Sequence, residues 1–137
     1  MIMIDTNVLI DLREAEGEWR DWSFGAVADA RLAGPVGVSA VVIGELASGG
    51  GDWSDMSGLI GGFKLVVEPL DAAAACRAGT AHRAYRAAGG PRAKLLGDFL
   101  IGGHAEAAGA ALITRDARRY RRYFPELTLI TPENDDD

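Results

Sequence analysis

Cysteine is almost absent from this sequence. Cys76 stands alone among 137 residues, which excludes an intrachain disulfide and any zinc site built from several thiolates. Histidine is nearly as scarce, and neither His82 nor His104 has a second histidine or cysteine at zinc-ligand spacing, so neither is expected to hold a metal. No apolar run reaches membrane-spanning length. The opening Met-Ile-Met-Ile also lacks the basic and then apolar stretches of a secretory leader, so the expectation is a reducing cytoplasm and no membrane contact.

What is present is ordinary globular material, with 48% hydrophobic and 25% charged residues. That length suits one compact domain, expected over 1–132, with 133–137 as a solvated acidic tail. The formal net charge of −6 would discourage a nucleic-acid partner if it were evenly spread. It is not: residues 77–122 carry 10 of the 14 basic residues and 3 of the 20 acidic ones. A basic surface can therefore exist on an acidic protein, and a polyanion responds to the local field.

Met1 to Ile4 reads as a short buried strand, followed by the cap-forming Asp5-Thr6-Asn7 and a helix carrying Val8, Leu9 and Leu12. Glu14 to Ala33 reads as one helix that closes at Gly34-Pro35, with Trp19, Trp22 and Val27 among its apolar positions. Val36 to Val38 is a second strand, Ala40 to Ser48 a helix capped by Ser39, and Asp52 to Ile60 a short helix. Lys64 to Val67, Ala111 to Thr114 and Leu127 to Ile130 supply three further strands. Helices fall over Asp71 to Ala88, Lys94 to Ala108 and Asp116 to Phe124. Strands of about four apolar residues alternating with helices predict an α/β fold whose parallel sheet is covered on both faces.

Three acids lie inside apolar runs: Asp5 in Ile-Asp-Thr-Asn-Val-Leu-Ile, Glu45 in Val-Val-Ile-Gly-Glu-Leu-Ala, and Asp98 in Leu-Leu-Gly-Asp-Phe-Leu-Ile. Helical spacing points Glu45 and Asp98 inward, and no lysine or arginine sits within these runs. A buried unpaired carboxylate costs several kcal/mol, so each needs a proton, a basic partner or a cation. Carboxylates sharing a buried site raise one another's pKa unless a divalent ion intervenes, and magnesium favours such oxygen ligands. In an open parallel sheet the ligand crevice lies beyond the carboxyl ends of the strands. Asp5 ends the first strand and Thr114-Arg115-Asp116 follows the fourth, which brings in Asp116 and the hydroxyl of Thr114.

Four blocks in order then resemble the PIN-domain family, and within it the VapC-type ribonuclease toxins of type II toxin–antitoxin pairs. They are Met-Ile-Asp-Thr-Asn-Val-Leu-Ile-Asp at 3–11, Ser-Ala-Val-Val-Ile-Gly-Glu-Leu at 39–46, Asp-Phe-Leu-Ile-Gly-Gly-His-Ala at 98–105 and Leu-Ile-Thr-Arg-Asp at 112–116. The resemblance implies a three-layer α/β/α sandwich around a central, mainly parallel five-stranded sheet. It also implies a magnesium- or manganese-dependent endoribonuclease, a cognate antitoxin partner and a homodimer. Asp5, Glu45, Asp98 and Asp116 take the family's acidic positions, and Thr114 its small hydroxyl. In the expected mechanism Asp5, Asp98 and Asp116 bind the metal, while Glu45 orients the attacking water or a second ion. Gly44 and Gly97, weak helix formers, immediately precede two of the acids.

Arg115, Arg118, Arg119 and Arg122 fall at helical spacing beside this centre, where they would either hold RNA phosphates or form a solvated face. Arg86, Arg92 and Lys94 pose the same choice. Tyr120 and Phe124 are expected in the core rather than as base-stacking platforms, and Trp19, Trp22, Trp53 and Met56 likewise, although an incompletely buried subset of the latter four would suit a partner groove. Two rival readings stand beside the nuclease. A haloacid-dehalogenase phosphotransferase needs a second aspartate two residues after the first, where this chain has Asn7. A degenerate nuclease fold acting as an RNA- or protein-binding module is the non-enzymatic alternative.

Overall fold

The computed structural model describes residues 1–90 and 96–132. Arg92, Lys94 and the acidic tail of the sequence reading lie outside the described residues. In chain order the elements are β1 (Ile2–Ile4), α1 (Thr6–Arg13), α2 (Arg20–Ala33), β2 (Val36–Ser39), α3 (Ala40–Ser48), α4 (Trp53–Gly62), β3 (Val66–Glu68), α5 (Ala72–Ala87), α6 (Leu96–Ala107), β4 (Ala111–Ile113), α7 (Ala117–Tyr123) and β5 (Leu129–Ile130). The strands form one sheet in the order β3-β2-β1-β4-β5, and every pairing is parallel.

Successive strand residues point to opposite faces of a sheet. All four residues of β2 are nonetheless buried, as are Met3 and Ile4 of β1 and Leu112 and Ile113 of β4. Helices therefore cover both faces, as the α/β pattern predicts. The chain builds β1, β2 and β3 outward on one side and then returns to place β4 and β5 on the other. The order thus reverses between β1 and β4, the place where open α/β sheets bind ligands at the strands' carboxyl ends. Ile4 pairs with Ile113 in register, and the Asp5 amide donates to the Ile113 carbonyl at 3.0 Å. Asp5 and Thr114 consequently leave the sheet side by side.

Two small residues set the packing of α5 on α6. A Cβ at Gly103 would lie 2.9 Å from both the Cβ and the amide nitrogen of Ala78, and 3.0 Å from the Ala74 carbonyl. The alanines of α5 that face this contact, Ala74, Ala78 and Ala81, are buried. On the other flank, Gly102 accommodates the rings of Phe124 and Tyr120, both of which are core residues as expected.

Two expectations are corrected. Glu14 to Ala33 is not one helix: Glu14 is extended and caps α1, and α2 begins only at Arg20. Gly17, a poor helix former, lies in the break, which lets Trp19 reach the Arg115 guanidinium at 5.6 Å from its ring centroid. Trp53 is 69% exposed at the start of α4, whereas Met56, one turn later, is buried as expected. The Asp52–Asp55 capping box at that terminus uses backbone donors and does not require the tryptophan to pack. Among the described residues no helix is long and apolar enough to cross a membrane.

Replacing Gly103 by valine should destabilise the fold by about 1–3 kcal/mol, read from urea unfolding. Gly79→Ala on α5, where a Cβ meets nothing within 4 Å, should be neutral or stabilising. Equal effects of the two would refute the close approach at Gly103.

Candidate active site

Asp5 is 3% exposed, a charged type at the end of the central strand and the N-cap of α1. Its Oδ1 accepts the Thr6 amide at 2.7 Å. Its Oδ2 accepts the Thr114 hydroxyl at 2.7 Å, the Tyr120 hydroxyl at 3.0 Å and the Asn7 amide group at 3.5 Å. Thr114, fully buried, also accepts the Asp116 amide at 2.9 Å, so one hydroxyl links the first acid to the backbone of the fourth. Burial pushes the Asp5 carboxyl above its ordinary value, the Thr114, Thr6 and Tyr120 donors pull it back, and the charge of Glu45 pushes it up again. Burial, followed by the charges of Asp5 and Asp98, also raises the Tyr120 phenol, which keeps it a proton donor.

Glu45, on α3, is placed by two neighbours. Its Oε1 accepts the Thr6 hydroxyl at 2.6 Å. Its Oε2 lies where α6 has glycine, and a Cβ at Gly97 would come to 1.9 Å of that oxygen. The weak helix former before Asp98 therefore makes room for the carboxylate of another helix. Gly44 has no such role, since a Cβ there meets nothing within 4 Å.

Asp98 is partly buried on α6, and burial raises its pKa to about 6. Arg119 pulls that value down, while the charges of Asp5 and Glu45 push it up. These three carboxylates thus lie close enough to repel one another. Asp98 Oδ2 accepts from Arg119, whose other nitrogen reaches Asp116 Oδ2 at 3.2 Å. Desolvation works against the Arg119 charge, but Asp98 and Asp116 outweigh it and the guanidinium is held more firmly protonated.

The four arginines proposed to share a phosphate-binding face have separate environments. Arg115 precedes α7 and clasps Asp11 of α1 with two nitrogens, at 2.9 and 3.1 Å, and Asp11 also accepts the Ser23 hydroxyl at 2.6 Å. Arg119 bridges Asp98 and Asp116. Arg118 and Arg122 remain exposed. Sequence reasoning missed Asn7 as a donor to Asp5, Tyr120 as a core ring with a polar end in the site, and Arg119 as the acids' own counter-charge. Asn7 was the most accessible of these, two residues from Asp5 and in the first turn of the helix that Asp5 caps.

Among the described residues no three carboxylate, imidazole or thiolate groups converge closely enough, as they stand, to hold a metal ion. The donor chemistry still suits a hard divalent cation: the groups are oxygen ligands, and three carboxylates crowd one another in a desolvated setting. Arg119 is the cation that balances Asp98 and Asp116 in this arrangement.

The PIN domain family model matches residues 2–125. No curated protein sequence matches the chain. Among solved structures it resembles a chain from the crystal structure of VapBC2 from Rickettsia felis bound to a DNA fragment from their promoter, with TM-score 0.73, 20% identity, and coverage of 96% of this chain and 98% of that one. DNA-bound VapBC from Salmonella typhimurium gives TM-score 0.68 and 23% identity, covering 96% and 98% respectively. A toxin–antitoxin complex from Klebsiella pneumoniae gives TM-score 0.68 and 21% identity, covering 97% and 98%. At these identities the likeness is one of fold.

With Asp98 raised from 3.8 to about 6, the native chain binds more protons than the unfolded chain between those values. Its contribution to stability is complete below about 3.8 and is lost as the pH rises through about 6. In chelator, Asp98→Asn should therefore flatten the fall in unfolding free energy across that window. Identical pH slopes for variant and wild type would refute the raised value.

Proposed function

The chain belongs to the PIN domain family, and on that premise we infer that it is a magnesium- or manganese-dependent endoribonuclease, the toxin of a toxin–antitoxin pair. The observation that carries this reading is the buried Asp5 at the reversal of strand order, with Glu45 and Asp98 close enough to raise its neighbourhood's pKa values. Asp5, Asp98 and Asp116 would hold the divalent ion. When bound, that ion supplies positive charge against the scissile phosphate and makes water a stronger acid. The reaction is hydrolysis: water adds to phosphorus, the bridging P–O bond breaks, and the leaving oxygen takes a proton.

The chain's own groups have separate tasks. Thr114, Thr6 and Tyr120 hold the Asp5 carboxylate in one orientation. Glu45, anchored by Thr6 through one oxygen, orients the attacking water with the other. Arg119 balances the charges of Asp98 and Asp116, a task that a bound ion would share. No histidine or cysteine nucleophile is required. The antitoxin reading draws support from the toxin–antitoxin complex among the similar folds. It also draws on α4, where exposed Trp53 accompanies Met56 and Leu59, two residues lining a cavity of about 500 Å³. Homodimerisation stays a further element of this reading, open to sedimentation analysis.

The purified chain, free of any partner, should cleave RNA with magnesium or manganese and stop in chelator. Asp5→Ala should lower the rate by about a hundredfold or more. An unchanged rate would sink the assignment, and no cleavage by wild type would favour a non-catalytic RNA- or protein-binding module. Gly97→Ala tests the placement of Glu45: the added methyl should displace the carboxylate and cost about ten- to a hundredfold in kcat with the unfolding midpoint little changed. Full activity in that variant would show that Glu45 needs no such seat.

A further inference from the structure

Beside the acidic centre lies a second feature that the hydrolytic reading does not use. Tyr85 of α5, Phe99 of α6 and Tyr123 of α7 meet in a triangle, with ring centroids 5.3 Å apart for Tyr85 and Phe99, 5.4 Å for Phe99 and Tyr123, and 5.7 Å for the two tyrosines. Phe99 is buried and the tyrosines are half-buried. All three line a cavity of about 640 Å³, within the range of small-molecule sites. Asp116 and Arg119 line the same cavity, so it borders the acidic centre.

We propose that this cavity is a nucleobase subsite for single-stranded RNA, receiving an unstacked base next to the phosphate positioned at the acids. This rests on the nuclease reading and adds to it how the substrate is held. Three properties point to a nucleotide unit. The tyrosines contact each other edge to face, at 84°, and Tyr85 is already stacked on His82, so a flat guest would lie against Tyr123. Cations stand at its rim: Arg118 and Arg122 are exposed and line it, and the Arg122 guanidinium lies 5.3 Å from the Tyr123 centroid. Among the described residues neither pairs with a carboxylate.

The pairing of aromatic faces with guanidinium groups is how proteins hold single strands, since every base has a π-face and every linkage a negative charge. A base within a duplex keeps its faces stacked, so the site selects unpaired loops and ends. The location separates the duties of the arginines as well. Arg115 is committed to Asp11 and Arg119 to the acids, which leaves Arg118 and Arg122 to meet the phosphates flanking the bound base.

The test is equilibrium binding in chelator, so that nothing is cut, followed by fluorescence anisotropy of a short single-stranded oligoribonucleotide. An abasic oligomer of the same length supplies the phosphates without the bases. Wild type should bind the base-bearing strand about tenfold more tightly, and Tyr123→Leu or Tyr85→Leu should close most of that gap while Tyr123→Phe retains it. A free nucleoside monophosphate should bind far more weakly than the strand. Equal binding of the two oligomers by wild type, a gap untouched in both folded leucine variants, or a mononucleotide that binds as well as the strand would overturn the proposal. The wild-type comparison decides even if a leucine variant does not fold. Base-dependent binding without cleavage in magnesium would refute the nuclease reading alone, whereas cleavage without base dependence would refute the subsite alone.

Discussion

A carboxylate taken out of water at the end of the central strand must have its oxygens satisfied, and Asp5 meets that demand with four donors from three parts of the chain. Thr6 and Asn7 come from the first turn of α1, Thr114 from the end of the neighbouring strand, and Tyr120 from α7. Together the donors tie three separate segments to one point. The strand register that sets Asp5 beside Thr114 and the buried ring that carries the Tyr120 hydroxyl are both conditions of that solvation. The site and the fold are in this sense one structure: loosening α7 would leave a buried negative charge short of a donor.

The alternation of short apolar strands with helices was enough to read a parallel α/β sheet, and the adjacency of the first and fourth strand ends followed from its topology. Asp5 was legible as a buried acid because Met1 to Ile4 before it and Val8 to Ile10 after its cap are all apolar. Glu45 and Asp98 were legible as inward-facing, but their partners were not, because those come from helices far away in sequence. Arg119 illustrates the limit. Helical spacing groups it with Arg115, Arg118 and Arg122, and only the packing of α7 on α6 reveals that it faces two carboxylates. Gly97 is a second case: a weak helix former looks like a defect in one helix until the glutamate of another occupies the space.

The helix expected over Glu14 to Ala33 failed for a related reason. Periodicity cannot see that Asp11, Ser23 and Arg115 form a hydrogen-bonded cluster, which needs the chain to turn between α1 and α2. Trp53 failed in the other direction. A large aromatic is a strong sign of burial on average, yet the capping box that starts α4 is made by Asp52 and Asp55 and leaves the tryptophan outside.

The guanidinium between Asp98 and Asp116 has a consequence for how the chain comes into being. A cluster of acids that depended on a metal for neutrality would be electrically unbalanced during synthesis and folding, when no ion need be at hand. Here the counter-ion is covalently part of the chain, three residues from one of its partners, and it assembles with α7. Asp98 and Asp116 therefore keep a counter-charge from the moment α7 packs, whatever ions the surroundings hold.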